Sequence, residues 1–297
     1  MLDTRMTAKI ACCMVLALGT AALAAQQSST ATSAERGNLS EICKVSSLIG
    51  THVMNRANTK IAHVRDLVLS PDGDPLYVIL GHGGVGGVGE SYTAVPFDAL
   101  DVRHADGKLA VNLDMTADDL KKAPAIESEN YRELNDRQWI ARACQFFPPR
   151  GESMARPEKE TGSMQREPRA VEWVLLATKI RGSRLKNPQN EDLGKIEDLL
   201  FDRMHRAAFL IVGRGGALGA REQYIPVPWS RLGLTMNREN AAVTASIDAT
   251  KAELDKAPVV EGNNYETLLA PGFADQVRHY FGTISHGATT GAGTERR

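Results

Sequence analysis

GTHVMNRANTKIAHVRDLVLSPDGDPLYVILGHGGVGGVGESYTAVPFDAL, residues 50–100, and GSRLKNPQNEDLGKIEDLLFDRMHRAAFLIVGRGGALGAREQYIPVPWSRL, residues 182–232, align without a gap at a shift of 132. Fifteen of the 51 positions are identical, among them Asp66/Asp198, Ile79/Ile211, Gly81/Gly213, Tyr92/Tyr224 and Pro96/Pro228. Identity at so many turn, glycine and apolar positions marks an internal duplication. At a shift of 134 the match resumes, laying Ala123-Pro124 on Ala257-Pro258, Asn130-Tyr131 on Asn264-Tyr265 and Phe147 on Phe281. The unit therefore spans 44–147 and again 176–282.

Within a unit the pattern is that of short strands. Ile61–Leu69 is rich in branched residues and ends at Ser70-Pro71-Asp72-Gly73-Asp74, a turn in which proline presets one torsion and glycine accepts a positive one. Leu76–Leu80 returns as the second arm of a hairpin, followed by a glycine-rich loop, Tyr92–Pro96, Leu100–Val102 and Leu109–Leu113. The fold class expected is mainly β: two tandem small antiparallel β-barrels, each followed by short helical segments. Thr116 and Thr250 each precede an acidic residue by three, the capping-box spacing that starts a helix.

Outside the repeats the chain reads differently. Arg5 and Lys9 lead into an apolar run from Ile10 to Leu23 and then small residues, so 1–25 is expected to be a cleavable signal peptide and the protein periplasmic or secreted. Residues 26–43 read as a flexible arm and 283–297 as a disordered tail. Between the repeats, 148–175 holds four prolines, five basic and five acidic residues, a polar linker. No other segment has the length and apolarity of a spanning helix. With 35 basic against 36 acidic residues and no basic run, a nucleic-acid partner is excluded.

Leu48-Ile49-Gly50, the strand Ile196-Glu197-Asp198-Leu199, Tyr77–Leu80 running into glycines, and Tyr92-Thr93-Ala94-Val95-Pro96-Phe97 resemble the PRC-barrel, named for the photosynthetic reaction centre H subunit. The second copy, with Leu193-Gly194-Lys195 and Tyr224-Ile225-Pro226-Val227-Pro228-Trp229, is the closer match. The resemblance implies protein contact as the shared habit. The reaction-centre and ribosome-maturation roles do not carry over, because the membrane helix of the one and the companion domain of the other are missing from this sequence. A non-catalytic interaction or assembly module is expected, its partner another envelope protein or the two barrels packing on each other. The alternative is a small-ligand or metal-binding protein using the glycine-loop end of a barrel, with an enzyme third.

Gly81-His82-Gly83-Gly84-Val85-Gly86 carries glycines at dinucleotide spacing. A phosphate cradle needs a helix directly afterwards, whereas a strand is expected there, so Gly81, Gly83, Gly84, Gly87, Gly213, Gly215, Gly216 and Gly219 are read as structural. No cofactor is expected. Strict alternation aims Asp66 and Asp198 inward with Val64 and Val68, or Ile196 and Leu200. Each then accepts hydrogen bonds from backbone amides of a nearby loop, is reversed by a bulge, or titrates as a proton carrier. No histidine recurs between the copies, and no metal or nucleophile motif occurs, so catalytic and metal residues are expected to be none. Cys43 and Cys144, the cysteines left after signal removal, are expected to form a disulfide, the alternative being two buried thiols. Phe97, Trp229, Tyr92 and Tyr224, with Trp139, Phe147 and Phe281 on the terminal helical segments, are core or interface candidates.

Overall fold

A computed structural model describes residues 42–85, 88–105, 108–127, 131–147, 174–202, 204–215, 223–236, 242–262 and 264–284. The expected signal peptide, the arm up to residue 41, the linker from 148 to 173, Gly87, Gly216, Gly219 and the tail from 285 lie outside the described residues. Val174 is buried and a strand starts at Leu175, so both belong to the second repeat rather than the linker. Thr283 ends the last helix and Ile284 is buried, so both belong to the second repeat rather than to the tail expected from 283.

Each repeat forms one mixed sheet from the strands its sequence dictates. In the first, β2 (His52–Met54), β3 (Lys60–Leu69), β4 (Pro75–Val85), β5 (Val88–Pro96), β6 (Leu100–Ala105) and β7 (Lys108–Leu113) lie in the order β5-β4-β3-β2-β7-β6. In the second, β9 (Arg184–Lys186), β10 (Asp192–Phe201), β11 (Ala207–Arg214), β12 (Gln223–Pro228), β13 (Gly233–Met236) and β14 (Val243–Ser246) repeat it as β12-β11-β10-β9-β14-β13.

The all-antiparallel expectation is corrected at one place per sheet. β2 pairs with β7, and β9 with β14, in parallel, because the chain returns beside its first strand only after a run of intervening ones. Among the described residues no ladder joins β5 to β6 or β12 to β13. The glycines from Gly81 to Gly84 also belong to strand β4 and not to a loop, while β5 follows as a strand and leaves no helix end to hold a phosphate.

Thr116 and Thr250 cap α2 (Ala117–Leu120) and α5 (Lys251–Leu254), and Thr250 completes a full capping box with Glu253. The terminal segments become α3 (Arg137–Phe146) and α6 (Phe273–Thr283). α3 lays Trp139, Ile140 and Ala143 on Tyr77, Ile79 and Ala94 of its own sheet. Phe147 and Phe281 are fully buried side chains, each contributing about 2–3 kcal/mol of apolar transfer. No helix among the described residues is long and apolar enough to cross a membrane.

The first strand of each repeat crosses to the other. β1 (Cys43–Lys44) pairs with β10 through Cys43↔Phe201 and Lys44↔Leu200, and β8 (Leu175–Leu176) pairs with β3 through Leu69↔Leu175 and Val68↔Leu176. One-turn helices α1 (Val45–Leu48) and α4 (Ala177–Ile180) follow, and Gly50 (φ 85°) and Gly182 (φ 89°) turn the chain back into its own sheet. The exchange is reciprocal, and a single buried cluster accordingly runs from Val45 and Leu67 of one repeat to Leu199 and Phe281 of the other.

This crossing separates the two cysteines, and the expected disulfide is corrected: both are thiols. Cys43 sits on the second repeat's sheet, while Cys144 lies on α3 against the first repeat's, hydrogen-bonded with Tyr77. Burial pushes the Cys144 thiol above its ordinary range. Thiol labelling of the unreduced, denatured protein followed by peptide mapping should tag both residues, with slow tagging in the native state. A denatured protein untagged at both would establish the bridge instead.

Candidate functional site

The two carboxylates recurring in the sequence become clasps between the repeats. Val64 pairs with Leu80 and Asp66 with Ile79, so Arg65 is an extra residue in the ladder; the same bulge occurs between Ile196 and Asp198. The bulge reverses the expected alternation. Val64, Leu67 and Leu69 face one core, whereas Val68 on the opposite face joins Leu176 in the other. Asp66 therefore turns toward the arriving strand of the sister repeat instead of into its own interior.

There Asp66 Oδ1 accepts from the Leu67 amide at 2.8 Å and the Thr178 amide at 3.1 Å, and Oδ2 accepts from the Thr178 hydroxyl. Asp198 repeats the arrangement: Oδ1 takes the Leu199 amide at 2.9 Å and the Ser46 amide at 3.1 Å, and Oδ2 takes the Ser46 hydroxyl. Both aspartates are 4% exposed. Buried carboxylates are tolerated when hydrogen-bonded in this way, so the amide-accepting and bulge readings both describe them. Apart from the neighbouring Leu67 and Leu199 amides, the donors come from the far repeat and not from a nearby loop. Ser46 and Thr178 were not singled out in the sequence, although both are hydroxyl residues at the shift of 132, just ahead of the aligned stretch.

Burial pushes the Asp66 carboxyl above its ordinary 3.8, and the Thr178 hydroxyl and the two amides pull it back only in part. The folded state then holds more protons than the unfolded chain between the two values. The contribution of Asp66 to stability is thus complete below 3.8 and is lost as pH rises through the folded value. Urea midpoints measured from about pH 4 upward should show wild type losing ground to Asp66→Asn, which cannot ionise. Parallel pH profiles for the two proteins would contradict this.

The aromatic pair after Val-Pro serves the same interface. Trp229 Nε1 donates to the Pro71 carbonyl at 3.1 Å and its ring covers the Gly73 turn. Phe97, at the equivalent place, meets the His205 ring with centroids 5.2 Å apart. Lys44 lies 4.9 Å above the Tyr265 ring, another contact between repeats. Of the remaining interface candidates, Trp139, Phe147 and Phe281 are buried and Tyr92 and Tyr224 partly so. Trp139 donates to the Ala125 carbonyl at 3.3 Å, Tyr92 donates to Glu90 at 3.0 Å, and Tyr224 packs edge-on to Tyr265. Among the described residues the exposed large apolar side chains are Met204 and Val259, while Trp229 and Phe97 contact the sister repeat and Trp139, Phe147 and Phe281 are buried.

The glycine ends of the sheets are polar. In the second repeat a shallow groove of about 460 Å³ is lined by Arg184, Lys195, Arg214 and Lys251 together with Asp192 and Glu197. Its floor is formed where Gly194 (φ 143°) lets β10 approach β11; a Cβ there would lie 2.7 Å from Val212 Cγ1 and 2.8 Å from the Gly213 carbonyl. Arg184–Asp192 (3.3 Å), Lys195–Glu197 (2.8 Å) and Arg214–Asp255 (2.6 Å) pair its charges. In the first repeat, His63 meets Glu90 at 3.3 Å, and burial lowers the pKa of His82, favouring the neutral imidazole. Burial also pushes the Tyr131 phenol up to about 12. Among the described residues no three His, Cys, Asp or Glu side chains come together as a metal site.

Comparison with known families gives one match. The PRC-barrel domain matches residues 41–114 and 174–253, once per repeat and together more than half of the chain. No curated protein matches the sequence.

Proposed function

The chain belongs to the PRC-barrel domain family, twice over, and from that premise we propose that it is an exported, non-catalytic assembly module built of two PRC-type barrels. The reciprocal exchange of β1 and β8, clasped by Asp198 and Asp66, carries this reading. Surfaces that a lone unit would offer to a second copy are occupied by the sister repeat, giving one body that imitates a symmetric dimer. A charged face is left to meet an envelope partner, and a partner held by charge binds quickly and releases with salt.

The test is crosslinking of the mature protein in the envelope of the cell that exports it, beside a variant carrying Arg184→Glu and Lys195→Glu. One partner recovered in fixed proportion with wild type, reduced with the variant and released at about 0.5 M salt supports the proposal. Recovery of the protein alone from both counts against it. A second reading, a small anionic ligand in the groove, is favoured by its four cations around a glycine floor. Titration with small carboxylates and phosphates, followed by the melting temperature, separates that reading, since only a bound ligand stabilises the isolated protein.

A further inference from the structure

We infer that the two repeats are shaped to recognise each other and to reject a copy of themselves, through unlike aromatic caps on unlike turns. The two turns occupy equivalent positions at the interface, and both apices are left-handed, Gly73 with φ 85° and His205 with φ 58°. Their caps differ. Trp229 covers the glycine, and a Cβ added at Gly73 would lie 2.8 Å from Trp229 Nε1 and 2.9 Å from Cε2. Phe97 covers the histidine in a tilted ring contact. The larger ring thus meets the apex without a side chain, and the smaller ring meets the apex that has one.

Like-with-like pairing spoils both fits. A second repeat facing its own copy would drive Trp229 into the His205 imidazole, at a place where even one carbon is too much. A first repeat facing its own copy would set Phe97 over bare Gly73, leaving empty the space that His205 fills. It would also lose a hydrogen bond. The Ala207 amide donates to the Gly73 carbonyl at 2.9 Å, and the residue equivalent to Ala207 is Pro75, which has no N–H to give. The Ser46–Asp198 and Thr178–Asp66 clasps are nearly alike and do not discriminate. Selectivity therefore rests with Gly73, His205, Phe97, Trp229 and Pro75, by steric exclusion on one side and a lost contact on the other.

The full-length protein is tested with a site for a sequence-specific protease placed between residues 150 and 170, so that one cut leaves both repeats intact. Cut wild type should remain a one-to-one pair of unlike halves by native mass spectrometry. Gly73→His should weaken that pair about 100-fold, and Gly73→His with Trp229→Phe should recover to within about tenfold of wild type. The left-handed backbone cost of Gly73→His is the same in both backgrounds and cancels in the comparison. Should Gly73→His fail to fold, the reciprocal pair replaces it: His205→Gly loosens the halves and Phe97→Trp added to it restores them. Equal losses from the turn substitution with and without its ring change would overturn the inference, as would abundant pairs of like halves from the cut wild type.

Discussion

Asp66→Ala is expected to lower unfolding stability by about 3 kcal/mol, because it leaves the Leu67 amide, the Thr178 amide and the Thr178 hydroxyl buried without their acceptor. Asp198→Ala removes the equivalent acceptor from Leu199 and Ser46 and should cost a similar amount. Asp66→Asn should stay within about 1 kcal/mol of wild type. Its amide oxygen still accepts both N–H groups, the Thr178 hydroxyl rotates to accept from the new NH2, and no charge is left to desolvate. Urea unfolding followed by far-ultraviolet circular dichroism measures all three. Equal losses for Ala and Asn would mean that the negative charge, and not hydrogen-bond acceptance, matters at this position.

Trp229→Ala is expected to be at least as damaging, about 4 kcal/mol. The ring is 6% exposed, it seals the Gly73 turn, and its Nε1 holds the Pro71 carbonyl, so truncation leaves a large void and an unmatched acceptor at the junction of the repeats. Phe97→Ala should cost about 2 kcal/mol, since its ring is smaller and only half-buried. The ratio between the two is informative, because both occupy the same place in the duplicated plan. Were Phe97→Ala the more damaging, the asymmetry assigned to the two caps would be wrong.

Much of the fold was legible because its signals are local. Branched runs such as Ile61–Leu69, the Pro71-Asp72-Gly73 turn, and the Thr116 and Thr250 caps each act over a few residues, and strands, hairpin and helices formed there. The strand that follows the glycines was legible for the same reason, whereas the place of Gly81, Gly83 and Gly84 within β4 itself was not, since glycines weaken the local strand signal. The direction of Asp66 was not legible, since one extra ladder residue at Arg65 inverts the alternation expected along the strand. Nor was the cysteine arrangement. Spacing shows where Cys43 and Cys144 lie along the chain, but Cys43 leaves its own repeat for the other sheet.

The sequence by itself determined that this protein is made of the same β-rich unit twice, because a duplicated order of turns, apolar strands and glycines constrains each copy through contacts between near neighbours in the chain. Only the tertiary structure decided how the copies meet. The pairing of β1 with β10 and of β8 with β3 joins residues more than 100 positions apart. Such pairing depends on whether Ser46 reaches Asp198, Thr178 reaches Asp66, and Trp229 finds a bare glycine. No short-range pattern encodes those fits, because each is a match of shape and hydrogen bonding that exists only once both surfaces are built.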